Sequence, residues 1–173
     1  MLSKSFTLIE VLVATFVITL GVAGGLVVVS QTTAFTQITS SRLTATYLAQ
    51  EGIEIVKNIR DTNFLLIHRG LITEDQWAQG LTVCGGGCEA DYNDLILTPF
   101  ASRCLNIDAG FYQYSGSGVQ TSFKRKITIF DLLDLDDPPD EIPDQAKVLV
   151  EVSWEERGRT HQVAAQENVY KWW

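Results

Sequence analysis

The chain has 173 residues, enough for one modest domain and a membrane-length segment but not for two full domains. Its 21 acidic residues against 13 basic ones give a formal net charge of -8, which argues against a general nucleic-acid binder built on a basic face. A local basic site is left open at Lys124, Arg125 and Lys126, the densest basic cluster, which reads as a solvated strand end.

The first thirty residues set the organisation. From Phe6 to Val29 the side chains are mostly Val, Leu, Ile, Phe, Ala and Gly, and the only charge is Glu10. About 20 apolar residues, at roughly 1.5 Å rise each, cross a hydrocarbon core of about 30 Å, so this run is long enough to span a bilayer. It also exceeds the apolar core of a secretory signal, about 7 to 15 residues. Lys4 is the positive flank before it, which by the positive-inside rule leaves the remainder outside the cytoplasm. A carboxylate inside such a segment costs a few kcal/mol. Glu10 therefore either stays hydrated at the membrane surface or meets a cation from another chain. Gly21, Gly24 and Gly25 either weaken the helix, at about 1 kcal/mol each relative to Ala, or permit close helix packing.

Residues 3 to 14, Ser-Lys-Ser-Phe-Thr-Leu-Ile-Glu-Val-Leu-Val-Ala, resemble the N-terminal signature of type IV pilins and type II secretion pseudopilins. The resemblance implies a leader of residues 1–5 and cleavage between Ser5 and Phe6 by a prepilin peptidase, which methylates the new Phe6 amine. It further implies that Glu10 of one subunit faces the Phe6 amine of a neighbour as a helical homo-oligomer assembles from an inner or cytoplasmic membrane platform into a cell-surface filament. Other pilins would be partners, and no enzymatic activity is implied. Two departures are plain: Ser5 stands where the family usually has Gly, and no Pro occurs before Pro99. A carboxylate in a dry interior is penalised unless a partner amine offsets the cost, which agrees with that role.

Downstream of the apolar half (6–29), residues 30–61 are predicted as the amphipathic half of the same helix. Apolar or small side chains recur at Phe35, Ile38, Ala45, Leu48, Gly52, Val56 and Ile59, in helical steps. Glu54 and Lys57 are placed to pair across a turn, and Asp61, Thr62 and Asn63 are predicted to stop the helix. The stretch Leu48 to Asp61 is similar to the end of the long helix in pilin-like proteins. Residues 62–122 read as a variable loop region with a short helix start at Thr73, where Gln76 completes a capping-box pattern. Cys84, Cys88 and Cys104 fall there, in a compartment where disulfides form. Cys84 with Cys88 closes a tight loop over three glycines, whereas either of them with Cys104 closes a longer one; one cysteine is left over in each case. A zinc site has weak support, since His68 and His161 are isolated.

Residues 123–173 are predicted as an antiparallel sheet. Phe123, Arg125, Ile127 and Ile129 alternate, as do Val148, Val150, Val152 and Trp154, and a Gly158 turn joins the last two strands, of which 160–170 is the second. Residues 152–159 resemble the closing hairpin of minor-pilin-like proteins. The acidic loop 131–144 lacks the regular calcium-loop spacing and reads as a Pro-stiffened solvated segment. The family resemblance adds calcium as a ligand there, with Asp134, Asp136, Asp137 and Asp140 as candidates. Trp172 and Trp173 are expected to dock on the last strand or on a neighbouring subunit. The expected fold class is α+β: a long N-terminal helix packed on a small antiparallel sheet of three or more strands, the pilin architecture. The function this implies is a structural subunit of a type IV pilus-like filament. A minor pilin or type II secretion pseudopilin is the first alternative, and the second is a membrane-anchored extracytoplasmic binding domain or enzyme that does not polymerise.

Overall fold

Helix α1, Leu8–His68, carries the chain from its apolar start into a folded unit where its inner face is covered by a sheet. The computed structural model describes residues 7–133 and 143–172. They form two compact units, Met1–Ser41 and Arg42–Trp173. In the second unit, β1 (Cys88–Glu89), β2 (Thr98–Pro99), β6 (Lys124–Leu133), β7 (Gln145–Glu156) and β8 (Arg159–Tyr170) make a five-stranded sheet in the order β2-β1-β6-β7-β8. A second sheet holds β3 (Asn106–Asp108), β4 (Phe111–Gln113) and β5 (Val119–Gln120) in the order β4-β3-β5. All pairings are antiparallel, so the fold is a long helix on antiparallel sheets, an α+β arrangement.

The alternation in the C-terminal third places one face inward. Arg125 pairs with Val152, Ile127 with Val150 and Ile129 with Val148, and opposed residues share a face. These six, with Ala146 and Trp154, are all buried against the helical face of Ala45, Leu48, Gly52, Val56 and Ile59. Burying a Val or Leu is worth about 1.5–3 kcal/mol, which outweighs the mediocre helix propensity of the Thr- and Ser-rich stretch before it. Phe35, expected on the same face, lies in the first unit and is exposed. The hairpin β7–β8 turns at Arg157 (φ 52) and Gly158 (φ 72), two successive left-handed residues as a type I′ turn requires.

Three local expectations are corrected. The helix does not stop at Asp61–Asn63. Asn63 is buried and its amide donates to the Trp77 and Gln79 carbonyl oxygens at 2.9 and 3.0 Å, while Phe64 is buried and stacked on Trp77. Tertiary packing thus overrides turn propensity for two more turns. The stop is Gly70 (φ 69): its N–H donates to Ile67 O and that of Leu71 to Leu66 O, closing a Schellman motif. Lys57 pairs with Glu167 on β8 at 2.6 Å and not with Glu54. The strand β6 runs to Leu133, past the expected start of the acidic loop, with a register shift between Phe130 and Leu133.

The region 62–122 carries more order than a loop. It contributes two short 3-10 helices, Glu74–Gln76 and Thr82–Gly86, two strands of the main sheet and all of the second sheet. Gln76 Oε1 accepts from the Thr73 N–H at 3.1 Å, the backbone half of the expected capping box. Trp172 meets Phe64 edge-on at 5.4 Å, so it docks near the end of α1, while Trp173 lies outside the described residues.

At Gly52 helix and sheet approach closely. A Cβ there would stand 2.7 Å from Val150 Cγ1 and 3.2 Å from Arg125 Cδ. Overpacking of this kind costs about 1–3 kcal/mol, against roughly 1 kcal/mol gained in helix propensity. Gly52→Ala is therefore expected to destabilise the chain, read as a lower urea midpoint by Trp fluorescence; an unchanged or higher midpoint would refute the tight approach.

Candidate assembly segment and the buried polar cluster

Two places concentrate chemistry: the first turns of α1 and a polar cluster under the sheet. At the N-terminus, the Glu10 N–H bonds to Thr7 O at 3.1 Å and reaches Thr7 Oγ1 at 3.4 Å, while Val11 N–H bonds to Thr7 O at 3.3 Å. Thr7 thus opens the helix, and Glu10 sits in its first turn, where a negative charge meets the positive end of the helix dipole. The Thr-x-x-Glu spacing of Thr7 and Glu10 is a capping pattern legible in the sequence.

From Leu8 to Val29 every side chain is exposed, and the most apolar window of the helix has mean hydropathy 2.5 with none of it buried. This is a helix long and apolar enough to cross a membrane. Its two hydroxyl side chains turn inward: Thr15 donates to Val11 O and Leu12 O, both at 3.0 Å, and Thr19 to Phe16 O at 2.8 Å. Such back-bonding satisfies a hydroxyl without water. Glu10 is the exception. Its carboxylate makes no hydrogen bond or ion pair among the described residues. Ser5 and Phe6, the expected processing and pairing positions, lie outside the described residues, as do Asp134, Asp136, Asp137 and Asp140.

The expected solvated basic cluster is not one, since Arg125 is completely buried. Its phase with Phe123 and Ile127 turns it inward, between strand and helix, while Lys124 and Lys126 face the other way. Its Nη1 donates to Glu51 Oε2 at 2.5 Å and to Leu48 O at 3.3 Å, and its Nη2 donates to Ala90 O at 2.8 Å. The Nε has no partner among the described residues. A second carboxylate, Glu89, is buried and paired with Arg103 at 2.5 Å. Asp91 accepts the Tyr114 and Ser115 N–H groups and the Ser115 hydroxyl. Tyr114 closes the cluster, its hydroxyl donating to Arg125 O at 2.8 Å. Burial pushes this phenol from 10.0 up to about 12, with the Arg125 charge opposing and the Glu89 charge adding.

These groups are tied to one another and to backbone, the pattern of a structural network. Among the described residues no group of three or more His, Cys, Asp or Glu side chains is arranged to hold a metal ion. The cysteine alternatives are resolved in favour of the short loop: Cys84 and Cys88 are disulfide-bonded, and Cys104 is a half-buried free thiol. Comparison with protein-family models, curated proteins and solved structures finds no match to this chain.

Truncating Arg125 leaves the Leu48 and Ala90 carbonyl oxygens without its donors, at about 1–3 kcal/mol for a buried group left unsatisfied, while Glu51, a third exposed, regains water. Arg125→Ala is expected to lose that much in chemical denaturation; no loss would refute these contacts. The Tyr114 value is raised in the folded state, which favours the neutral phenol. Its contribution is therefore complete below pH 10 and lost as pH climbs from 10.0 to about 12. Tyr114→Phe should blunt that alkaline loss while costing about 0.5–1.5 kcal/mol at neutral pH for the missing hydrogen bond.

Proposed function

We propose that this chain is a structural subunit of a type IV pilus-like filament, held in the membrane by its N-terminal helix before assembly and polymerising through it. In this reading a prepilin peptidase cuts before Phe6, and Glu10 of one copy pairs with the methylated Phe6 amine of its neighbour. The observation that carries the reading is the polar accounting of Leu8–Val29: both hydroxyls are satisfied within the helix, and the one charged group is not. A neighbour's amine supplies what the helix itself lacks, and helical stacking buries the apolar surface. A minor pilin or secretion pseudopilin uses the same contacts with different partners.

The capping geometry at Thr7 favours a second reading, a permanently anchored extracytoplasmic domain. There Glu10 serves only the helix start, and Arg42–Trp173 closes a core of its own.

Intact mass and N-terminal fragmentation of the chain from sheared surface filaments and from membranes separate the two. Chains beginning at a methylated Phe6 in the filament fraction are expected; chains beginning only at Met1 and confined to membranes would sink the filament reading. In the same cells Glu10→Ala should abolish entry into filaments while leaving membrane insertion unchanged, whereas the anchored reading expects no loss of the surface fraction.

A further inference from the structure

We draw no further inference here: the strongest candidate, the groove beside α1 lined by Glu51, Glu54, Asn58, Asp61 and Tyr92, has two of its three carboxylates held by Arg125 and Arg60, and nothing in the structure shows what covers it.

Discussion

Arg125 is the constraint on which the folded unit depends. It is a charge where the strand alternation calls for an apolar residue, and its guanidinium is bonded to helix and sheet region at once through Glu51, Leu48 O and Ala90 O. A buried ion pair is weak evidence for net stability, since its desolvation offsets much of the Coulomb gain. What it does supply is register. The side chain must lie beside Gly52, where no Cβ intrudes, and a helix slipped by one turn would set a larger residue against Arg125 and strand its charge. The neighbouring polar groups follow from the same constraint. Tyr114 holds the Arg125 carbonyl, and Asp91 in turn holds the backbone of Tyr114 and Ser115.

Much of this organisation was legible in the sequence, for reasons of period. The apolar run needs no context to be recognised, and the strands Lys124–Leu133 and Gln145–Glu156, with one wet face, show a clean alternation, while 160–170 is less regular. The rest was hidden where short-range signals lose to tertiary ones. Asp61–Asn63 resembles a turn, but the Asn63 amide finds two carbonyls from residues more than a dozen positions away. The true stop, Gly70, was readable as a glycine past the last apolar residues and was overshadowed by the earlier turn formers. Between Cys88 and Gln120 the strands are two or three residues long, too short for any period to register. Arg125 was legible in its phase and misread in its company: two flanking lysines gave the look of a solvated patch. At the N-terminus, the Thr7 cap is carried by a Thr-x-x-Glu spacing that the charge of Glu10 overshadows.

The two units satisfy their polar groups by opposite means. In Arg42–Trp173 buried charges are answered by other charges and by backbone at long sequence separation, as in the Glu89–Arg103 pair and the Arg125 cluster. In Leu8–Val29 the answer is local, each hydroxyl returning to a carbonyl three or four residues back. Local satisfaction is what a helix needs when water is absent and no tertiary partner is assured.

A segment built to that rule with one exception carries information in the exception. If Glu10 served only the helix start, an Asn or Ser at the cap would do the same work without placing a formal charge beside apolar surface. The Thr7 cap already performs that task, through its own hydroxyl and carbonyl oxygens. Capping therefore accounts for the geometry around Glu10 but not for a formal charge there, which either stays hydrated at a membrane surface or meets a cation from outside the helix. The two answers make different demands on the same carboxylate: hydration needs only a position at the membrane surface, whereas a cation must be brought to it by another chain.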